Sequence, residues 1–188
     1  NYSHNITIVH IAQKGREFMA LPLQTPYSLD YIYSLPDGER AELIDGQIYD
    51  MAPPNRMHQE ISFTLSRKIA DYIDSNDGSC KVYPAPFAVF LNDDNMNYVE
   101  PDISVICDKN KLSDKGCHGA PDWIIEIVSP ATRTRDYGIK LFKYRSVGVR
   151  EYWIVDPANK RVCVYNFGND EMNEYTFSDT VKAGIYSD

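Results

Sequence analysis

The clearest change of period along the chain is the helical spacing that follows the proline pair at residues 53–54. Between residues 57 and 73, apolar side chains recur every three to four positions, as in an amphipathic helix packed on a core. His58 lies three residues before Ile61 and therefore belongs to the inward stripe, whereas Glu60 points outward. A second helix is predicted from about residue 133 to residue 147, ended by Gly148.

The second predicted helix has two different sides. Asp136, Lys140 and Tyr144 share one face at helical spacing, and Ile139, Leu141 and Phe142 are predicted to supply its apolar side. A shorter helix is expected after Ser28, which is a candidate N-cap, and it closes at residues 36–38.

Most remaining apolar runs are short and rich in β-branched or aromatic residues, which is typical of strands. Asp45-Gly46 is the favoured two-residue turn of a hairpin over residues 41–51. The run at 122–128 is apolar except for Glu126, and it predicts a central strand buried on both faces. Further strands are predicted at 5–11, 81–91 (edge or bent, because of its prolines), 98–107, 151–156, 161–167 and, weakly, 174–177; residues 108–120 are expected to form a polar loop.

This order of elements predicts an α/β fold with a mixed central sheet flanked by helices. With 188 residues and no linker or repeat, the chain is expected to form a single domain over residues 1–188.

Composition narrows the possible functions. The net charge of −8 and pI of about 5.0 argue against a general nucleic-acid coat protein, although an enzyme could still bind nucleic acid through a local basic patch and a metal. No apolar run approaches the roughly 18 residues of a membrane span, and no secretion signal is recognisable. The four cysteines lack zinc-site spacing; Cys107 and Cys163 are predicted to be buried thiols, which indicates a reducing, cytoplasmic setting.

The carboxylate of Glu126 is costly in a buried strand unless it is paired or binds a cation. Asp102, after Pro101 near the start of another strand, is a candidate partner. Neighbouring strands lie about 4.8 Å apart, so in a suitable register Asp102 and Glu126 could share a hard cation such as Mg²⁺ or Mn²⁺. Such a cation could activate water against a phosphate, and Lys140 on the next helix could fold back to hold that water or the phosphate charge.

Each of these residues also has a purely structural interpretation. Asp102 could end a turn, Glu126 could be a buried ion-pair partner, and His58 could be a satisfied core histidine. Lys140 could form a surface pair with Asp136, worth a few tenths of a kcal/mol. The combination of Pro101-Asp102 on one strand, an inward Glu126 on the next and Lys140 on the helix that follows favours the catalytic interpretation.

The same residues resemble the PD-(D/E)XK nuclease pattern, and more closely the Uma2 family (DUF820) of restriction-endonuclease-like proteins. The matching stretches, within residues 28–167, are ELIDG at 42–46, His58, EPDISV at 100–105, PDWIIEIVSP at 121–130, residues 136–144 and GVREYWIVD at 148–156. Val128 stands where the usual lysine would follow the acid, and in several branches that lysine has moved to the next helix, as Lys140 would satisfy.

The resemblance implies a restriction-endonuclease-like core and Mg²⁺- or Mn²⁺-dependent endonuclease activity on nucleic acid, with DNA the expected substrate. By position, Asp102, Glu126 and a backbone carbonyl near Ile127 would hold the metal. Lys140 would orient water, Glu42 would be a further acid, and His58 would line the pocket. It also implies a homodimer. A non-catalytic binding or assembly module, or a phosphodiesterase for a small phosphorylated molecule, remain alternatives.

Overall fold

The computed structural model describes residues 25–92 and 94–186, so the strand predicted at residues 5–11 lies outside the described residues. The helices are α1 (Leu29–Ser34), α2 (Arg56–Ser75), a 3₁₀ turn (Lys109–Lys111), and a π-helix (Arg135–Lys140) that continues directly into α3 (Leu141–Val147). Asn55 caps α2 by accepting a hydrogen bond from the backbone N–H of His58, at 3.0 Å.

The strands form three sheets. Their bounds are β1 (Ala41–Ile44), β2 (Gln47–Asp50), β3 (Lys81–Pro84), β4 (Val89–Phe90), β5 (Ile103–Ile106), β6 (Leu112–Ser113), β7 (Gly116–His118), β8 (Trp123–Ile127), β9 (Glu151–Asp156), β10 (Arg161–Asn166) and β11 (Glu171–Thr176). The main sheet has the order β11-β10-β9-β8-β5-β3, β1 pairs with β2, and β4, β7 and β6 form a small third sheet. Only β8 and β9 run parallel in the main sheet, so the predicted mixed α/β architecture is confirmed.

Strand β8 lies inside the main sheet and is buried along its whole length, as its apolar run predicts. Its side chains alternate between two packed faces. Ile124 and Val128 pack into the cluster that contains Tyr144 and Tyr152, whereas Trp123 and its alternate neighbours pack into the cluster that contains α2 residues. Glu126 therefore faces the π-helix and α3, and α2 covers the opposite face.

The pairing of β5 with β8 brings the two predicted acidic positions together. These strands are antiparallel, with Ile103 opposite Ile125. Continuing this register by one residue places Asp102 opposite Glu126, so the two carboxylates lie side by side at the same edge of the strands.

The helical segment over residues 135–147 buries its polar face. This corrects the prediction that its apolar side packs on the core. Asp136 and Lys140 are 2% and 3% exposed and Tyr144 is fully buried, whereas Ile139 and Phe142 are 42% and 73% exposed. Leu141 is half-buried, as predicted. The ordinary rule that a helix buries its apolar stripe fails here because the sheet beneath presents buried carboxylates that require cationic and hydroxyl partners.

Several local predictions need smaller corrections. The loop predicted over residues 108–120 contains the 3₁₀ turn and strands β6 and β7, and the run over 81–91 divides into β3, an edge strand, and β4 in another sheet. Strand β5 begins only after Asp102, although isolated bridges at Tyr98 and Val99 precede it. Ser28 precedes α1 without a side-chain capping bond.

The cysteines also differ from the prediction in part. Cys107 forms a disulfide with Cys80, so its prediction as a buried thiol is wrong, whereas Cys117 and Cys163 are free and buried. A disulfide is unusual in a reducing compartment, so the thiol argument for a cytoplasmic setting loses its support. None of the helices within residues 25–92 and 94–186 has the length and apolar character needed to cross a bilayer.

Candidate active site

Glu126 is a buried carboxylate with two side-chain donors. Its Oε1 accepts hydrogen bonds from Nζ of Lys140 at 2.8 Å and from the hydroxyl of Tyr144 at 2.7 Å. Only 4% of Glu126 is exposed. The lysine and the tyrosine lie one helical turn apart, so both reach the same carboxylate from the helical segment above the strand.

Lys140 connects carboxylates that come from different elements. Its Nζ lies 2.7 Å from Oε1 of Glu42 on β1, 2.8 Å from Oε1 of Glu126 on β8, and 3.8 Å from Oδ1 of Asp136. The π-helical turn that ends at Lys140 is a rare conformation that is frequently found at functional sites. The surface interpretation of the Asp136–Lys140 pair is therefore wrong, because both side chains are buried.

Glu42 is held in place by the backbone. Its Oε1 accepts a hydrogen bond from the N–H of Glu100 at 3.1 Å, while the Glu100 carboxylate is fixed by Nε of Arg40 at 2.8 Å and the hydroxyl of Tyr98 at 2.6 Å. Within the described residues, Oε2 of Glu42 has no hydrogen-bond partner, and it lies 3.7 Å from Nε of Arg135. One oxygen of this fully buried carboxylate is thus committed to Lys140, and the other is free to accept.

Asp102 lies at the start of β5 and is bound from two sides. Its Oδ2 accepts hydrogen bonds from the backbone N–H of Ile127 at 2.7 Å and interacts with Nε2 of His58 at 3.0 Å. His58 reaches it from the first turn of α2, on the inward side, and Glu60 is exposed, as the helical spacing predicts. The backbone of Ile127 contacts Asp102 through its N–H, while its predicted role as a carbonyl ligand stays a prediction.

The ionisation of this cluster reflects a shortage of positive charge. Burial raises the pKa of Glu126; the neighbouring carboxylates raise it further, and the charge of Lys140 partly opposes the rise. Burial also raises the pKa of Asp136. Although burial favours the neutral amine, the carboxylates of Glu126, Glu42 and Asp136 raise the pKa of Lys140 above its ordinary value. Lys140 is therefore an ammonium at neutral pH, and protons are taken up by the acids instead.

The donor set fits a hard divalent cation. Glu42, Asp102, Glu126 and Asp136 supply four carboxylates against two nearby cationic side chains, Lys140 and Arg135. Oε2 of Glu42 and Oδ1 of Asp136 are buried and have no hydrogen-bond partner among the residues that the structure describes. In the part of the chain that the structure describes, no three His, Cys, Asp or Glu side chains form a preformed metal cage. Mg²⁺ commonly binds through one or two carboxylates and completes its shell with water and phosphate oxygens, so two acids are sufficient.

Asp136, Tyr144 and Arg135 complete the surroundings of the site and were not predicted as site residues. The helical spacing already placed Asp136 and Tyr144 on the face of Lys140, so the signal was present. The sequence marks Arg135 only as one of several basic residues close together between positions 133 and 145. Its guanidinium lies over the ring of Tyr49, 5.3 Å from the centroid.

The local concentration of basic residues at 133–145 does not form an unpaired cationic surface. Each of its five members has an acidic partner: Arg133 with Asp156, Arg135 with Glu42, Lys140 with Glu42 and Glu126, Lys143 with Asp45, and Arg145 with Asp170. The basic residues of this segment are therefore neutralised by acids of the same chain.

Comparisons with known proteins agree with this architecture. Residues 27–184 match the profile of Uma2, described as "Putative restriction endonuclease". Two uncharacterized Synechocystis proteins, slr1290 and sll1609, are 28% and 25% identical over 133 and 137 residues, which is 70% and 71% of this chain and 68% and 76% of theirs.

A crystal structure from Anabaena variabilis, described as a putative nuclease belonging to DUF820, superposes with a TM-score of 0.68 at 23% identity. The match covers 84% of this chain and 89% of that one. At this identity the likeness shows the fold, which confirms the predicted restriction-endonuclease-like core.

Proposed function

The chain belongs to the Uma2 family, and we propose that it is a metal-dependent endonuclease that hydrolyses phosphodiester bonds in nucleic acid, with DNA as the expected substrate. The observation that carries the proposal is the contact of Lys140 with both Glu126 and Glu42, next to Asp102. Four separate parts of the chain supply these groups, and the cost of removing such charges from water can exceed their mutual attraction, so the cluster is weakly explained by stability alone. Perturbed ionisable groups gathered in this way are typical of active sites.

The side chains have distinct roles in the proposed reaction. Asp102 and Glu126, with a backbone carbonyl near Ile127, would hold Mg²⁺ or Mn²⁺. When bound, the cation would stabilise the negative charge that develops on the phosphate. Lys140, which stays protonated because its carboxylate neighbours raise its pKa, acts as a hydrogen-bond donor that orients water and not as a general base.

The other three residues position these groups. Glu42 holds the ammonium of Lys140 at 2.7 Å, and the hydroxyl of Tyr144 fixes the Glu126 carboxylate at 2.7 Å. His58 and the N–H of Ile127 both engage Oδ2 of Asp102, which leaves Oδ1 as the oxygen available to a cation. The positioning bonds lock the rotamers of the acids, as a precise site requires.

The direct test measures plasmid and oligonucleotide cleavage with Mg²⁺ or Mn²⁺ for the wild type, Asp102→Asn, Glu126→Gln and Lys140→Met. We expect each variant to lose at least about 100-fold in rate, the scale on which charge-stabilising groups act. Asp71→Asn, which changes an exposed carboxylate on α2, is the matched control and should keep full activity.

Circular dichroism and titration calorimetry separate loss of folding from loss of function. A folded Asp102→Asn or Glu126→Gln protein that cleaves at the wild-type rate would refute the site. If the wild type bound no divalent ion in calorimetry, the non-catalytic binding module would become the better description.

A second candidate, a phosphodiesterase for a small phosphorylated molecule, is favoured by the pairing of the basic residues described above. Such pairing leaves few free cations to follow the backbone of a long polymer. Bis(p-nitrophenyl) phosphate distinguishes the two. Efficient hydrolysis of this compound by a protein that does not cleave plasmid DNA would establish the small-molecule reaction.

A further inference from the structure

A polar cavity of about 400 Å³ opens where the turn between β9 and β10 meets β11. We call it the basic cavity, because its lining contains three cationic side chains and one carboxylate. Asp179, the acid that follows Thr176 in the chain, accepts a hydrogen bond from Thr176 and does not line the cavity. The volume is in the range of sites for small ligands. The lining residues are Arg133, Asn159, Lys160, Arg161, Glu174, Tyr175 and Thr176.

The three cations keep accessible donors. Lys160 is exposed and has no ionic partner in the described part of the chain. Arg133 and Arg161 each give Nη1 to one carboxylate, that of buried Asp156 and that of Glu174, and their side chains remain 40% and 32% exposed. An arginine carries five N–H donors, so one such contact leaves others for an anion. With both carboxylates counted, the group still holds one net positive charge.

Lys160 has a backbone conformation that lysine seldom adopts. Its φ is 49°, in the left-handed region that favours glycine and asparagine. Neighbouring contacts hold the turn: Nδ2 of Asn159 donates to Oδ2 of Asp156 at 2.8 Å, and the N–H of Phe177 donates to the carbonyl of Lys160 at 3.2 Å. Asparagine or glycine would suit this conformation better, so the turn itself does not explain the lysine. An unfavourable residue in a well-fixed turn points to a function of its side chain.

The basic cavity lies on the face of the main sheet that carries Glu126. Along β10, Arg161 alternates with Val162, which packs in the cluster on the α2 side. Arg161 therefore points to the same side as Cys163, which packs in one cluster with Ile124 of β8. Ile124 and Glu126 are two residues apart on one strand and share that side. The cavity and the acidic cluster are thus open to the same substrate.

The strand register gives the separation of the two sites. Glu126 lies opposite Ile154 on β9, and Arg161 lies opposite Asp156, two residues further along the same strand. Two strand spacings and two residues correspond to roughly 12 Å between the backbones of Glu126 and Arg161. Each strand of a DNA duplex carries one phosphate about every 3.4 Å of its axis. A polymer cleaved at the acidic cluster therefore presents flanking phosphates at this separation.

We propose that the basic cavity binds a phosphate of the nucleic acid that flanks the cleaved one; this inference rests on the proposed function. The ammonium of Lys160 and the remaining N–H groups of Arg133 and Arg161 donate to its oxygens, as charged donors do to phosphates. Such a contact fixes the position of the polymer and carries no information about its bases. One subsite of this kind also agrees with the pairing of the other basic residues beside the acidic cluster.

Occupancy of the basic cavity by a phosphate can be measured without catalysis. Pyridoxal 5′-phosphate forms an imine with a lysine amine, and borohydride reduction makes the label permanent. Pyridoxal lacks the phosphate and is the matched reagent. Peptide mass spectrometry of the full-length protein should find that Lys160 prefers the phosphate reagent, whereas the exposed Lys81, on the far edge strand β3, should show no preference.

Protection from this label distinguishes the source of the phosphate. A duplex oligonucleotide, with Ca²⁺ present so that cleavage is slow, should protect Lys160. Inorganic phosphate should protect it only at a much higher concentration, because the free ion gains nothing from the acidic cluster and its cation. Protection by inorganic phosphate but not by the duplex would assign the cavity to a free phosphorylated molecule and would overturn the proposal.

Two variants remove charge from the basic cavity. Lys160→Asn suits the left-handed turn, so its Tm should stay the same or rise. Arg161→Gln releases only Glu174, whose side chain is 50% exposed. Each variant should weaken duplex binding about threefold to tenfold, the value of one hydrogen bond, and lower the magnitude of the salt slope by about 0.9. Lys81→Gln is the control and should change neither quantity.

Kinetics separate this subsite from the acidic cluster. For oligonucleotide cleavage, Lys160→Asn should raise KM and leave kcat unchanged. Bis(p-nitrophenyl) phosphate is too short to reach from the acidic cluster to the basic cavity, so both variants should hydrolyse it at the wild-type rate.

The proposal is overturned if Lys160 does not prefer the phosphate reagent, or if Lys81→Gln weakens duplex binding as much as Lys160→Asn does. Failure of the proposed function gives a different result. A wild type that cleaves neither plasmid nor ester, while the duplex still protects Lys160, would refute the nuclease and retain the phosphate site.

Discussion

Lys140 is the residue on which the acidic cluster depends most, because its ammonium is shared by Glu42 and Glu126 at 2.7 and 2.8 Å. Lys140→Met keeps the length of the side chain and removes the charge. We expect the free energy of unfolding to fall by about 3–5 kcal/mol near neutral pH, the cost of leaving buried carboxylates without their partner. Urea denaturation of the metal-free protein measures this loss, and Lys81→Met, at an exposed lysine, should change stability by less than about 0.5 kcal/mol.

The loss caused by Lys140→Met should also depend on pH. Burial raises the pKa of Glu126 in the folded protein above its value in the unfolded chain. As pH falls through the folded-state pKa, the buried carboxyl takes up a proton, and the folded state of the variant gains stability relative to the unfolded state. Because that pKa is raised to about 8, and would be higher still without Lys140, the deficit should be smaller at about pH 7 than at about pH 9. A deficit that is independent of pH would contradict the assignment of Glu126 as the titrating partner.

His58 gives the opposite pH dependence. Although burial lowers its pKa, the hydrogen bond and charge of Asp102 outweigh burial and raise the pKa of His58 above the ordinary value of 6.5. Its contribution to stability is fully present below the unfolded-state pKa and is lost as pH rises through the folded-state pKa. His58→Gln should therefore cost about 1 kcal/mol below about pH 6 and progressively less at higher pH. In an Asp102→Asn background, the stability cost of His58→Gln should no longer depend on pH. A pH dependence that persists there would refute the pairing of His58 with Asp102.

At the scale of single elements, the helical segment at 135–147 shows which features the helical spacing predicts and which it does not. The spacing correctly placed Asp136, Lys140 and Tyr144 on one face. It could not reveal that this polar face is the buried one, because that depends on the carboxylates of the underlying strands. Glu42 lies 98 positions from Lys140 in the sequence, and only the resemblance to a family, not any local pattern, suggested that it belongs to the pocket.

The same helical segment offers a matched pair of aromatic substitutions. Tyr144→Phe removes the hydroxyl that donates to Glu126 at 2.7 Å, and we expect it to lower the free energy of unfolding by about 1.5–3 kcal/mol, the range for a bond to a charged group. Phe142→Ala removes more atoms, but 73% of that side chain is exposed, so its cost should stay below about 0.5 kcal/mol. Chemical denaturation of both variants decides between the two faces. A larger loss of unfolding free energy for Phe142→Ala than for Tyr144→Phe would support the prediction that the side of the helix with Phe142 is the buried one.

Strands β3 and β5 are joined by a covalent bond beside their paired ends as well as by strand pairing. The disulfide joins Cys80 to Cys107 across a sequence separation of 27, and Cys117 and Cys163 remain thiols. Thiol titration of the unreduced, denatured chain should find two reactive groups, and titration after reduction should find four. Replacing both Cys80 and Cys107 by serine should lower the free energy of unfolding by about 3–4 kcal/mol, since the open loop regains chain entropy when unfolded. Four thiols before reduction would support the reducing setting that the sequence indicated.

At the scale of the whole molecule, the order of strands and helices was sufficient to predict a mixed sheet. This worked because β-branched runs, one turn dipeptide and helical spacing are local signals. The pairing of the strands that carry Asp102 and Glu126 was only a condition of the predicted site, and the structure supplies it. The position of the segment around Ile185 could not be predicted, because its backbone is held by Glu151, a contact between residues 34 positions apart. The single domain over the full chain, the homodimer and the cytoplasmic setting stay predictions.

The charge of the whole molecule leads to a prediction about nucleic-acid binding. The chain carries a net charge of −8, and the basic residues beside the site are paired with acids within the chain. Each phosphate neutralised by a protein cation contributes about −0.9 to the slope of log K against log salt for duplex DNA. We therefore expect a shallow slope, of magnitude below about 3, in contrast to about 6 or more for proteins that follow the backbone with many cations.

Fluorescence anisotropy of a labelled duplex measures this slope, with Ca²⁺ present so that cleavage is slow. Binding should weaken strongly when the divalent ion is removed with EDTA, because the acids of the site then repel the phosphates. Lys143→Ala, which frees the carboxylate of Asp45, should weaken binding without changing the slope by more than about one phosphate. A steep slope that does not depend on the divalent ion would mean that the polymer binds to a cationic surface away from Glu126, and not at the acidic cluster.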